Sequence, residues 1–231
     1  MSEKLEFLSR CALFSGFPQS ALKEAAEICI YREFSEEQAL YAGGAHSKRL
    51  TIVASGSVRI TSFLPSGRES ILAIIGAGNW LGDAIFSSVP ARVYGATAHE
   101  AVQVLEFSEA QIKSLLKRYP QGYPVIVDQL ASRLCAAMSI IEDDTARNTP
   151  ARIGRRLLML NMFQGDGKIT SQPVTLRLTR EQLGNMIGIT RQAVQKAIRV
   201  FEEAELISLD YGSIKLENPA RLETFLTQMD R

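Results

Sequence analysis

Three cysteines, two histidines and one tryptophan are all that these 231 residues offer of the side chains that most often carry special chemistry. Cys11, Cys29 and Cys135 are odd in number and far apart, which excludes a disulfide framework and the close cysteine pairs of a zinc site. His46 and His99 have no metal-ligand spacing. A nucleophile beside a base, a metal cluster and a phosphate loop are all missing, and Gly76-Ala77-Gly78 lacks the following helix that a dinucleotide site needs, so an enzyme is not expected. No uninterrupted apolar run approaches the ~18 residues that span a bilayer, and the first ten residues, MSEKLEFLSR, hold no secretory core. The expectation is a cytoplasmic, bacterial protein without a membrane partner.

Net charge is also scarce, at +1, but it is unevenly spread. Between Arg147 and Arg199 there are ten Lys/Arg against two Asp/Glu, a local excess of +8, which leaves −7 for the remainder. A basic stretch of this kind is the electrostatic footprint of a nucleic-acid module.

Within it, Arg180 to Arg199 reads as a helix-turn-helix. Leu183 and Ile187 share one helical face, and Gly184 between them lets a second helix cross closely. Gly188 can end the first helix with a positive φ, and Ile189 plugs the turn. Thr190 caps a second helix whose inner stripe is Val194, Ala197, Ile198 and Phe201. Arg191, Gln192, Gln195 and Lys196 fall on the outer side. An apolar back with an Arg/Gln/Gln/Lys front suits a major groove. Thr179 caps the first helix, and Thr179, Arg180 and Gln195 are read as positioning the DNA backbone. Leu206–Leu209 and Ile214–Leu216 flank a tight turn and make a wing.

Upstream, residues 1–30 look helical. Leu5, Leu8 and Ala12 share a face, and Ser20 can cap a second helix carrying Leu22, Ala25, Ala26 and Cys29. Residues 31–107 alternate short apolar runs with turn chemistry, including a hairpin signal at Pro65-Ser66-Gly67, and contain no crossover helices. That pattern predicts an antiparallel jelly roll. A long helix from about Tyr123 carries Ile126, Leu130, Leu134, Met138 and Ile141 at three- and four-residue steps, a narrow seam of the coiled-coil kind and a candidate homodimer interface. Cys135 borders it. A helix over 151–163 is expected to bury Ile153, Leu157, Leu158 and Leu160 and to turn Arg152, Arg155 and Arg156 outward; Gln164 to Gly167 should form a turn. The fold class is α+β: a β-roll sensor over 1–122, a dimerisation helix and hinge over 123–148, and a winged helix-turn-helix over 149–231.

This order resembles the cAMP receptor protein / fumarate-nitrate regulator superfamily of bacterial transcription factors, across nearly the whole chain. Leu13-Phe14-Ser15-Gly16 resembles the family's opening Leu-Phe-x-Gly, and Ala54 to Arg59 its Gly-x-Val hairpin. Leu178 to Gly184 and Gly188 to Val194 resemble its helix-turn-helix motif and are the most specific matches. The resemblance implies a homodimer on a pseudo-palindromic duplex, with RNA polymerase as a further partner. The alternative is a sensor module that acts through protein contacts without DNA.

The resemblance also places an effector site at Gly82, Asp83, Ala91 and Arg92; Trp80 beside Gly82 either lines that pocket or is a core residue. Relatives that bind cAMP carry Gly-Glu-Leu and, about eight residues on, Arg-Ser-Ala, for the ribose hydroxyl and the phosphate. Here Gly82-Asp83-Ala84 and Val89-Pro90-Ala91 stand instead. Valine cannot neutralise a phosphate, which would be buried unpaired. Arg92 lies three places on, where strand parity turns it to the opposite face unless a bulge intervenes. Cyclic nucleotide is therefore not the expected effector. An iron–sulfur cluster is not expected either, since Cys11 and Cys29 cannot supply four ligands. Haem on His46, His99 or Cys11, a small organic ligand, or no ligand at all remain open.

Overall fold

The computed structural model describes residues 3–45, 48–63, 69–88, 94–164 and 169–229. The chain divides into two compact units, residues 1–62 with 74–134, and residues 63–73 with 135–231.

The first unit opens with α1 (Glu3–Arg10) and α2 (Gln19–Ile28). Between them the chain turns tightly through Ala12–Phe14, burying Leu13 and Phe14. Ala12 is exposed, because the register of α1 is lost at the turn. Pro18 takes the N-cap position of α2, and Ser20 falls inside its first turn. Cys11 and Cys29 are both core residues.

Eight short strands follow: β1 (Ile30–Phe34), β2 (Ala39–Tyr41), β3 (Arg49–Ser55), β4 (Ser57–Phe63), β5 (Glu69–Gly76), β6 (Trp80–Leu81), β7 (Gly95–Ala98) and β8 (Val102–Ser108). They form two four-stranded sheets, ordered β1-β8-β3-β6 and β2-β7-β4-β5. The pairings are antiparallel, and strands adjacent in sequence mostly lie in different sheets, as in a jelly roll. Strand alternation decides which side chains enter the core. Leu50 and Ile52 of β3 and Leu105 and Phe107 of β8 pack with α1, α2 and α3 (Glu109–Arg118). The hairpin turn expected at Pro65-Ser66-Gly67 lies outside the described residues, as does the turn expected at Gly165-Asp166-Gly167.

The long helix α4 runs over Gly122–Ala146. Its exposed stripe differs from the expected seam. Ile126 is buried in its own domain, and Leu130 packs half-buried against the same core. The exposed apolar stripe is Tyr123, Val127, Leu134, Met138 and Ile141, each between 49% and 64% exposed. By length and composition α4 is apolar enough to cross a bilayer, although Asp128 and Arg133 interrupt every long apolar run. Ile126, Gln129 and Arg133 nevertheless pack on or bond to the β-roll, so this helix is built into a folded domain.

The second unit holds α5 (Thr149–Gln164), β9 (Val174–Arg177), α6 (Arg180–Ile187), α7 (Arg191–Glu203), β10 (Ile207–Asp210), β11 (Ser213–Leu216) and α8 (Pro219–Met229). The wing has three strands, ordered β10-β11-β9. In α5, Ile153, Leu157, Leu158 and Leu160 are buried as expected. Arg156 is buried with them rather than facing outward. Its helix is covered on two sides, by α7 and by α8, a helix beyond the three expected in this domain. Leu222 and Leu226 anchor α8, and Leu226 meets α5 at Gly154, where a Cβ would lie 2.6 Å from its methyl.

Candidate nucleic-acid interface and sensor site

The helix-turn-helix is assembled by local chemistry. Thr179 Oγ1 accepts the Gln182 backbone N–H at 3.1 Å, and Gln182 Oε1 accepts that of Thr179 at 2.9 Å, a reciprocal capping box. Gly188 closes α6 at φ 78°, a conformation that few other residues adopt without strain. Gly184 lies against the turn, since a Cβ there would sit 2.6 Å from the Ile189 carbonyl oxygen. Thr190 Oγ1 caps α7 by accepting the Ala193 N–H at 3.2 Å. Val194, Ile198 and Phe201 are buried and Ala197 is half-buried, which fixes the rotation of α7.

That rotation presents Arg191, Gln192 and Lys196 to solvent, together with Arg199 one turn further on. Gln195 is half-buried, and its Oε1 accepts Arg180 Nη1 at 2.6 Å. Arg180 and Gln195 therefore act as one unit across the two helices. Thr179 is exposed at the edge of this surface, and Tyr211 at the tip of the wing is fully exposed. Neither Arg199 nor Tyr211 was among the expected contacts. Arg199 could have been found by extending the i, i+4 series from Gln195. One arginine read as outward-facing has a structural partner: Arg152 Nη2 donates to the carbonyl of Ile187, the last residue of α6, at 3.0 Å.

In the β-roll, Trp80 is buried in the core, edge-on to Phe86. Gly82 adopts φ 104°, and a Cβ there would collide with the Arg49 carbonyl oxygen at 2.1 Å, so this corner admits only glycine. Asp83 is engaged by a side chain of the long helix. Its carboxylate accepts Arg133 Nη1 from α4 at 2.5 Å. Arg133 Nη2 also donates to the Trp80 carbonyl at 2.5 Å, and its guanidinium lies 4.0 Å from the Trp80 ring centroid. The Trp80 indole N–H donates to Gln129 Oε1. Two side chains of α4 thus clasp the Trp80–Asp83 corner by charge, hydrogen bonds and ring contact. Ala91 and Arg92, the other two expected effector residues, lie outside the described residues, as does His46. His99 is buried in the roll. Burial pushes the Cys11 thiol up to about 12, and it also raises Cys29, so neither presents a ready thiolate. Cys135 is exposed on α4.

Residues 31–119 match the family model of the cyclic nucleotide-binding domain, and residues 151–225 match that of the Crp-like helix-turn-helix domain. The chain belongs to the Crp/Fnr superfamily. It is a DNA-binding transcription regulator. A CRP-like cAMP-activated global transcriptional regulator of Mycobacterium tuberculosis is 28% identical to it over 218 residues, 94% of this chain and 97% of that protein. Among solved structures, FixK2 from Bradyrhizobium japonicum has the same fold, with a TM-score of 0.72 at 18% identity over 85% of this chain and 96% of that one. The c-di-GMP responsive global regulator CLP from Xanthomonas campestris gives a TM-score of 0.66 at 18% identity, over 86% of this chain and 99% of that one. This Crp/Fnr regulator therefore has an N-terminal β-roll, a long helix and a C-terminal helix-turn-helix, as its motifs imply.

Proposed function

We propose that this regulator works as a homodimer joined along α4, that two copies of α7 read a pseudo-palindromic duplex, and that its signal is not a cyclic nucleotide. The observation that carries the dimer is the stripe of Tyr123, Val127, Leu134, Met138 and Ile141, five large apolar side chains left in water by a single chain. They recur at steps of three, four or seven residues along one face, the spacing of a two-helix seam. On a pseudo-palindromic duplex the two half-sites that such a dimer reads would lie about 34 Å apart, one helical turn of DNA.

Support for a different signal comes from Asp83. Its carboxylate, the candidate ribose ligand, is already held by Arg133, and the resemblance puts Val89 at the place of the phosphate-binding arginine of cAMP-binding relatives. The Mycobacterium tuberculosis relative is named as cAMP-activated, so cyclic nucleotide is the reading to test against.

Sedimentation velocity and fluorescence anisotropy on labelled operator DNA test both parts. The wild type should sediment as a dimer. Leu134→Glu should sediment as a monomer and bind about 100-fold more weakly or worse, because two linked half-sites become one. A monomeric wild type, or an unaffected variant, would overturn the dimer. Saturating cAMP or cGMP should leave DNA affinity unchanged; a saturable increase would establish the cyclic-nucleotide reading instead.

A further inference from the structure

A cavity of about 490 Å³ opens on the β-roll domain, beside the segment that follows the Trp80–Asp83 corner. Its volume lies in the range of small-molecule sites. The floor is apolar, with Ile85 and Leu116 buried beneath it. The rim is charged. Lys48 and Lys113 bring two ammonium groups, and Glu109 brings one carboxylate. Glu109 is taken by Lys113 at 2.5 Å. Lys48 donates instead to a neutral acceptor, the Ser87 carbonyl, at 2.8 Å. One positive charge therefore remains in excess over a hydrophobic floor. The chemistry that satisfies both is an anionic head on an apolar body.

We propose that this cavity binds a small amphipathic carboxylate, and that its occupant is the signal passed to α4. The inference rests on the reading that this regulator answers to something other than cyclic nucleotide. Two walls of the cavity make the second half physical. One is the segment from Ile85 onward, which continues directly from Asp83, the residue that Arg133 holds. Phe86 in that wall also meets the Trp80 ring edge-on at 6.0 Å. The other wall is Tyr123, in the first turn of α4 and at the head of its exposed stripe. A ligand seated between these walls touches both ends of the link between roll and helix. Its affinity then differs between any two states in which that link differs, and this is the requirement for a ligand to shift them.

The test uses the full-length protein with 4-(trifluoromethyl)phenylacetate and its uncharged amide as probes, each followed by fluorine NMR. The acid should bind saturably at about millimolar concentration, as expected for a fragment of that size. The amide should bind at least tenfold more weakly. Lys48→Gln/Lys113→Gln, which alters only surface side chains, should weaken the acid at least tenfold without changing thermal stability. Equal binding of acid and amide, no saturable binding of the acid, or full binding by the double variant would each overturn the site. Operator affinity measured with and without the acid then tests the coupling. A change that the double variant lacks supports it, and no change at saturation overturns it. The fluorine readout involves neither cAMP nor DNA, so failure of this site and failure of the cyclic-nucleotide argument are seen separately.

Discussion

Arg180 donates from Nη1 to Gln195 Oε1 at 2.6 Å, tying the first residue of α6 to the middle of α7. A guanidinium has five N–H donors, so the others remain for a DNA phosphate. Arg180→Ala should weaken all operators alike, several-fold, and reduce the slope of log affinity against log salt by about 1. Arg180→Lys should keep the slope but lose the hold on Gln195. Anisotropy titrations over a salt series separate the two. An unchanged slope in the alanine variant would mean that Arg180 only braces Gln195.

Gln192 is exposed and is not among the residues that hold α7 in place. Its amide offers a donor and an acceptor and pairs best with adenine, whereas a glutamate accepts from cytosine N4. Gln192→Glu should move the preferred base at one position in each half-site, with a penalty of about 1–3 kcal/mol for the old base. Binding selections from randomised DNA read this directly. If both proteins select the same motif, Gln192 does not read that base.

Trp80 is the only tryptophan, which gives the clasp by α4 its own reporter. Arg133 supplies a ring contact, a backbone hydrogen bond and the Asp83 ion pair. Asp83 is well exposed, so the pair contributes modestly through solvent, and the ring and carbonyl contacts carry more. Arg133→Ala should lower stability by about 1–2 kcal/mol and shift the tryptophan emission. Asp83→Asn should do less of both. An emission spectrum unchanged by Arg133→Ala would show that the clasp does not persist in solution.

The three thiols should differ sharply in reactivity. Burial holds Cys11 protonated up to about 12, against an ordinary 9.0, and raises Cys29 as well. Cys135 is exposed. At pH 8 a thiol reagent should label one cysteine per chain quickly, and the other two only on unfolding. The folded Cys11 thiol ionises less readily than the unfolded one. Its contribution to stability is therefore full below about 9 and falls away as pH rises toward 12. Cys11→Ala should flatten the alkaline fall in melting temperature. Two fast thiols at pH 8 would contradict this burial.

The parts of the fold that were legible in the sequence are those decided within a few residues. Gly184, Gly188, Thr179 and Thr190 act on their own backbone or on the next turn, so their types and spacing sufficed. The seam of α4 was harder. A helix apolar on two adjacent faces offers two stripes, and periodicity cannot tell the one that meets its own domain from the one left bare. Ile126 went to the first and Val127 to the second. Arg156 was misread for a similar reason: α8 covers α5 from far along the chain, and a charged side chain is assigned outward by default. The engagement of Asp83 by Arg133 joins residues fifty positions apart, and no local pattern announces it.

Arg152 links three helix ends in the DNA-binding unit. It pairs with Asp144 near the end of α4 at 2.8 Å, lies in the first turn of α5, and donates to the Ile187 carbonyl that ends α6 at 3.0 Å. The cation at the C-terminus of α6 meets the negative end of that helix's dipole, which offsets its place at the positive end of α5. Removing Asp144 leaves Arg152 able to cap α6, but with one anchor fewer. Removing Arg152 uncaps α6 and strands Asp144 as well. Arg152→Ala should therefore cost more than Asp144→Ala, about 1–2 kcal/mol against less than 1. The double variant should cost little more than Arg152→Ala alone, because both single changes break the same pair. Chemical unfolding of the four proteins gives the cycle. Additive losses would mean that Arg152 and Asp144 do not couple, whereas a shortfall from additivity measures the pair that ties the first turn of α5 to the end of α4.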